Sequence, residues 1–241
     1  MTATISPPRR DFLKKSALAA TGLVIGFRLP ASWAGDAGQS AATVAPFAPN
    51  AFVRIAPTGR VTILVGKAEM GQGVFTSLPM ILAEELDADW SKVGFESAPA
   101  DPAYNHPFFG MQMTGGSTSV WSSFDQLRHA GAMARALLVS AAAQKWKVDA
   151  ATCRTENSFV IHDATKRRLS YGALAARAAA LPIPAQAAGA ATAAPSAEVE
   201  LKDPKDFKLI GKPTRRLDTP EKTNGAAIFG IDVKRPGMLT A

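Results

Sequence analysis

Apolar and polar residues alternate from Phe52 to Pro57 and again from Arg60 to Gly66, with Thr58-Gly59 between them. That pattern predicts a β-hairpin. The period then changes. Leu78, Ile81, Leu82 and Leu86 recur at helical spacing, so a helix is predicted from Thr76 to Leu86, with Thr76 or Ser77 capping its start. Lys92 to Ala98 alternates again and predicts a strand. Pro99 to Gly110, with its prolines, Asn105, His106 and aromatics, predicts an ordered loop. A long helix is predicted from Val120 to Lys147. Its buried face comprises Phe124, Leu127, Ala130, Ala134, Leu137, Leu138 and Ala141, small enough for another element to pack closely. Asn157 to Ile161 reads as a strand and Tyr171 to Ala180 as a short helix. After an Ala/Pro-rich connection, Leu181 to Ala197, a second unit starts near Asp206. In it, Ala226 to Val233 reads as a strand, and Pro236-Gly237-Met238-Leu239 as a turn into another. Roughly three dozen residues cannot bury a core of their own, so this unit is expected to be unfinished.

These elements predict an α+β fold with mixed sheet and a long helix. The expected divisions are a signal segment over 1–34, a linker over 35–50, a first domain over 51–180, a linker over 181–205 and a second unit over 206–241. The 241 residues, 47% hydrophobic and 20% charged, have an ordinary globular balance.

The net charge of +7 is unevenly placed. The first 34 residues hold Arg9, Arg10, Lys14, Lys15 and Arg28 against the single acid Asp11, which leaves +3 for the rest. No basic stripe interleaved with aromatics follows, so nucleic acid is not an expected partner. Lys166-Arg167-Arg168 and Arg215-Arg216 read as solvated surface. The lone Cys153 excludes an internal disulfide framework and any multi-cysteine metal or iron–sulfur site. Its expected role is that of a small buried apolar residue.

Pro8-Arg9-Arg10-Asp11-Phe12-Leu13-Lys14 precedes a weakly hydrophobic stretch, Ser16 to Phe27, and a small-residue site, Leu29-Pro30-Ala31-Ser32-Trp33-Ala34. The apolar stretch is shorter than the roughly 20 residues of a membrane span. It resembles a twin-arginine export signal, with Pro8 where Ser or Thr is usual. Such signals carry folded proteins, often with cofactors. The expected location is the periplasm, with the signal either cleaved or kept as a membrane anchor.

Two polar loops carry the candidate chemistry. The first is Glu69-Met70-Gly71-Gln72-Gly73-Val74-Phe75-Thr76, and the second Met113-Thr114-Gly115-Gly116-Ser117-Thr118-Ser119. Each precedes a predicted helix. Glycine admits a ligand close to the backbone, and helix starts offer orphan N–H groups at the positive end of the dipole. Facing each other, the loops would suit a large polar anionic cofactor. Gln72 adds two amide donors and an acceptor, and Thr114, Ser117, Thr118 and Ser119 add uncharged hydroxyls. No Gly-x-x-x-x-Gly-Lys-Ser/Thr is present, which argues against a nucleoside triphosphate loop. No strand is followed by Gly-x-Gly-x-x-Gly, which argues against a dinucleotide fold. Glu69 reads as a loop-closing acceptor, Glu84 and Glu85 as the solvated side of a helix. His106, His129 and His162 lack metal-ligand spacing.

Taken with their flanks, the loops resemble a known family. Glu69-Met70-Gly71-Gln72-Gly73-x-x-Thr76, Ala83-Glu84-Glu85-Leu86 and Thr114-Gly115-Gly116-Ser117-Thr118-Ser119 resemble the molybdenum-binding subunit of the xanthine dehydrogenase and aldehyde oxidase family. The likeness is to its exported branch, typified by the isoquinoline 1-oxidoreductase beta subunit, which Asp125-Gln126-Leu127-Arg128-His129-Ala130-Gly131-Ala132 also fits. Gly211-Lys212-Pro213-x-x-Arg216-x-Asp218-x-x-x-Lys222-x-x-Gly225 looks like the start of the family's hammerhead domain. The resemblance makes 51–180 part of a molybdopterin-binding domain. It implies a molybdopterin cytosine dinucleotide, contacted by Gly71, Gln72, Gly73, Thr114, Gly115, Gly116, Ser117, Thr118 and Ser119. It implies oxidation of aldehydes or hydroxylation of N-heterocycles. Electrons would leave through a small iron–sulfur subunit or a cytochrome c subunit. The family's general base is a glutamate in a Gly-Glu motif near its C-terminus. None of these residues matches it, so no catalytic residue is assigned and the chain is expected to be inactive alone. The rival readings are a cofactor- or partner-binding module and a non-enzymatic exported protein that keeps the fold.

Overall fold

The computed structural model describes residues 47–182 and 199–239. The segment expected to be an export signal and most of the 181–205 connection therefore lie outside the described residues. Strands β1 (Phe47–Asn50), β2 (Val53–Ile55), β3 (Val61–Val65) and β4 (Val93–Ser97) form one sheet in that order. The β2–β3 hairpin is antiparallel, as alternation requires, with Gly59 at its turn taking φ 87°. β4 instead runs parallel to β3, so the sheet is mixed. Residues 47–50, read as the end of a linker, form an edge strand here because Phe47 and Asn50 find partners in Ile55 and Val53.

Helix α1 (Val74–Leu86) crosses from β3 to β4, and α2 (Phe124–Trp146) lies against it. A Cβ on Gly131 would stand 2.4 Å from the Leu82 carbonyl oxygen, so α2 approaches α1 to backbone contact. The small residues of α2 permit this, and Leu82, Leu86, Ala134, Leu138 and Ala141 close the core.

The second sheet is an antiparallel meander of β5 (Cys153–Glu156), β6 (Phe159–His162) and β7 (Arg167–Ser170), followed by α3 (Tyr171–Ala179). Asn157 and Ser158 are not strand, as expected from sequence, but a two-residue turn with φ 46° and 62°. Of Lys166-Arg167-Arg168, Lys166 and Arg168 are exposed, as expected, and Arg167 is half-buried. Both arginines lie in β7, where Arg168 stacks 3.9 Å from the Phe159 ring centroid. The meander docks on the end of α1. Tyr171 is fully buried and donates its hydroxyl to the Leu86 carbonyl at 2.6 Å.

Beyond Asp206 the chain holds a short helix α4 (Thr219–Thr223) and otherwise irregular backbone. The strands expected at 226–233 and after Pro236 do not form in the described residues. Gly230–Asp232 is a 3₁₀ turn, and Ile228 and Ile231 are exposed. Ladder hydrogen bonds need a neighbouring strand, and none pairs here.

Candidate functional site

The first loop follows directly from β3. Gly71 and Gly73 adopt φ 106° and 91°, and a Cβ on either would meet nothing within 4 Å. Their requirement is conformational, not steric. Neither Thr76 nor Ser77 caps α1. The helix start is Gly73 in the left-handed region, without a side-chain cap of its own, and Thr76 Oγ1 accepts from the Leu217 N–H. The capping function passes to Glu69. Its Oε1 accepts from the Gly71 and Gly73 N–H groups at 2.7 and 2.9 Å, and its Oε2 from that of Phe75 at 3.0 Å. Glu69 is thus the loop-closing acceptor expected from sequence. Burial pushes its carboxyl up, but the three amides and Arg216 outweigh that and hold it below the usual carboxylate range. The loop amides expected to be free are therefore largely taken. Gln72 is also partly engaged: Nε2 donates to the Ala68 carbonyl, and Oε1 accepts from Met70. One amide hydrogen of the exposed side chain remains.

The second loop lies alongside. The Ala68 N–H donates to Thr114 Oγ1 at 2.8 Å, and Lys67 Nζ to the Met113 carbonyl at 3.1 Å. The two loops, forty-odd residues apart in sequence, are stitched together at these points. Gly116 and Ser117 are exposed at φ 61° and 55°. Thr118 turns inward and donates its hydroxyl to the Gly115 carbonyl. Gly115 and Ser119 are half-buried. Phe108, Phe109 and Trp121 flank this loop and remain largely exposed, covering His106. His106 Nδ1 accepts from the Phe108 N–H, while its buried Nε2 has no partner among the described residues. Burial and the nearby Lys67 push this imidazole below its ordinary value. His129 and His162 make local contacts with the Asp125 carbonyl and Thr165. Among the described residues, no group of His, Cys, Asp and Glu is placed to hold a metal ion.

Glu84 and Glu85 do not face solvent. Both are buried, at 2% and 0% exposure. Residues 202–210 cover them, and buried carboxylates require partners. Glu84 accepts from the Lys208, Leu209 and Ile210 N–H groups and pairs with Lys202. Burial pushes Glu84 up, and these amides and Lys202 bring it below its ordinary value. Glu85 accepts from Arg128 Nε at 2.7 Å and from the Lys202 N–H. Arg216 is not free surface either. It binds Asp218 through Nε and Nη2, and the Gly71 carbonyl through Nη1. Asp218 is held down to about 2, chiefly by Arg216 and then by Lys222. Sequence reading missed these roles. The alternating charges of Arg216-x-Asp218-x-x-x-Lys222 were the available signal, but the partners outside that run lie over 100 residues away.

Two glycine-rich loops, one ahead of α1 and one ahead of α2, are thus joined side by side with Gln72, Gly116 and Ser117 exposed. The chain belongs to the molybdopterin cofactor-binding domain family, whose profile matches residues 16–233. It is similar to the beta subunit of isoquinoline 1-oxidoreductase from Brevundimonas diminuta, at 37% identity over 99% of this chain and 33% of that one. A second relative is the membrane-bound aldehyde dehydrogenase (pyrroloquinoline-quinone) of Gluconacetobacter polyoxogenes, at 36% identity over 96% of this chain and 28% of that one. The chain thus spans about a third of the length of these relatives. Quinoline 2-oxidoreductase from Pseudomonas putida 86 superposes with a TM-score of 0.40 at 19% identity, over 51% of this chain and 15% of that one.

Proposed function

We propose that this chain forms one wall of the cofactor site in an exported, molybdenum-dependent oxidoreductase subunit that oxidises aldehydes or hydroxylates N-heterocycles. The observation that carries the reading is the joining of the two loops through Ala68 and Thr114, with Gln72, Gly116 and Ser117 left exposed beside it. These groups fit a large polar cofactor, because they offer neutral donors that bind without desolvating a charge. Gln72 would hold one edge of a molybdopterin cytosine dinucleotide, on a turn that Gly71 and Gly73 shape. Gly116 and Ser117, flanked by Thr114, Gly115 and Ser119 and braced from inside by Thr118, would hold another. The cofactor, when bound, supplies the two-electron chemistry. Glu69 serves as a structural acceptor and not as a proton-transfer base, because three amides and Arg216 already occupy its oxygens.

The names of the relatives support both substrate classes, one being an isoquinoline oxidoreductase and the other an aldehyde dehydrogenase. The family match favours molybdopterin over the quinone in the second name. The proposed partners are a small iron–sulfur subunit and, as a further electron acceptor, a cytochrome c subunit. Export rests on Arg9-Arg10 and the small-residue site at Ala34.

The test replaces Gln72 and Ser117 with Ala in the complete assembly and measures molybdenum by elemental analysis. Loss of most of the metal is expected; a full complement would overturn the contacts at Gln72 and Ser117, and an unmutated assembly without molybdenum would favour a non-enzymatic exported protein. A second arm replaces Arg9 and Arg10 with Lys and measures the periplasmic fraction. Undiminished export would remove the twin-arginine assignment.

A further inference from the structure

Nothing steric holds the Gly71-Gln72-Gly73 turn in place, since added Cβ atoms at both glycines would sit in open space. Hydrogen bonds from two sides hold it instead. On one side the Glu69 carboxylate gathers the Gly71 and Gly73 N–H groups. On the other, Arg216 Nη1 donates to the Gly71 carbonyl at 3.0 Å. Because the peptide unit is planar and trans, the Gln72 N–H points opposite to the Gly71 C=O. A carbonyl held toward Arg216 therefore turns the Gln72 N–H away from it.

Arg216 is itself a fixed post. Asp218, 4% exposed, accepts from its Nε and Nη2 at 3.0 and 2.9 Å, and Lys222 also donates to Asp218. The neighbouring Leu217 N–H is bound to Thr76 Oγ1 on α1 at 3.0 Å. Three successive amides, Lys208 to Ile210, are bound to Glu84 one turn or more further along the same helix. The guanidinium is thus located by Asp218 and by the attachment of its segment to α1, in addition to its contacts with the loop. A planar fork with several donors can grip Asp218 and a carbonyl at once, which an ammonium cannot do.

We propose that Arg216 is a positioning residue for the first loop: anchored by Asp218, it fixes the Gly71–Gln72 peptide plane and so the direction in which Gln72 meets its ligand. That ligand being the molybdopterin cofactor rests on the function proposed above; the positioning of the loop does not. The charged groups around Glu69 are Arg216 at 3.4 Å and, through it, Asp218 and Lys222. Removing Arg216 therefore takes away the cation nearest the Glu69 carboxylate.

The experiment compares the 241-residue chain with Arg216→Ala and Arg216→Lys by amide NMR. In Arg216→Ala, exchange at Gly71, Gly73 and Phe75 is expected to rise about tenfold, the scale of one lost charge-assisted hydrogen bond, with the Leu82 and Leu86 amides unchanged. The pH at which the Gly71 and Gly73 amide shifts report Glu69 protonation is expected to move up. In Arg216→Lys that pH stays near the native value while exchange remains raised, which separates charge from geometry. Native exchange and native titration in both variants would overturn the proposal. Molybdenum retained by the complete assembly carrying Arg216→Ala is measured in parallel. A disturbed loop with lower molybdenum supports both readings. A disturbed loop with full molybdenum supports the positioning role and overturns the cofactor contact at Gln72.

Discussion

Glu84 shows how much a single side chain can organise. Its carboxylate is the meeting point of three backbone amides and Lys202, all from a segment more than 100 residues downstream. Removing one member of such a buried charged set leaves the rest desolvated and unpaired. Glu84→Gln is therefore expected to destabilise the chain by about 3 kcal/mol, read as a lower urea midpoint. A change within experimental error would show that the 199–210 segment is not part of the cooperative unit. Sequence periodicity placed Glu84 and Glu85 on a helix correctly but on the wrong side of it. The i, i+3 pattern sees only the face that packs on the sheet, while a second covering segment leaves no trace in the helix's own spacing. Glu69 was legible for a different reason. Its partners Gly71, Gly73 and Phe75 lie within six residues, so local spacing contains the contact.

At the scale of elements, the crossing of α1 and α2 is set by one absent side chain. Gly131→Ala would drive a methyl to 2.4 Å from the Leu82 oxygen and 3.0 Å from Glu85 Cβ. Backbone cannot yield as a flexible side chain does, so a loss of about 2 kcal/mol is expected from overpacking, measured by thermal or urea unfolding. A neutral outcome would show that the helices separate freely. Separation would also pull Glu85 away from Arg128, which bonds it at 2.7 Å from α2. The hairpin, both long helices and β4 were readable from alternation and helical spacing, because each buries one face against the core. β7 was not readable, since its alternation runs through Arg167-Arg168-Leu169-Ser170 and its arginines stack on aromatic rings. The strands expected at 226–233 and after Pro236 did not form for the opposite reason: the apolar pattern is there, but among the described residues no strand edge pairs with it.

Across the whole molecule, residues 199–222 are joined to the α1 region by carboxylates. Glu69, Glu84 and Asp218 all titrate below their ordinary values of 4.5, 4.5 and 3.8 in the folded chain. A depressed folded value means that the stabilisation is complete above the ordinary value and is lost as pH falls through the folded one. Urea midpoints are expected to hold steady down to about pH 5 and then decline, with Asp218, at about 2, the last to protonate. Limited proteolysis should cut within 199–222 before it cuts α1 or α2. Loss of α1 first, or a midpoint that rises with acid, would contradict this. The sequence by itself determined the two loops, the helices that follow them, the mixed α+β class and the family likeness, because all of these are written in local periodicity and short motifs. Only the tertiary structure decided that the two loops meet, that Glu84 and Glu85 are buried, and that Arg216 holds the first loop. Those facts depend on contacts between residues 43 to 145 positions apart, and chain closure over such distances is set by packing, not by local pattern.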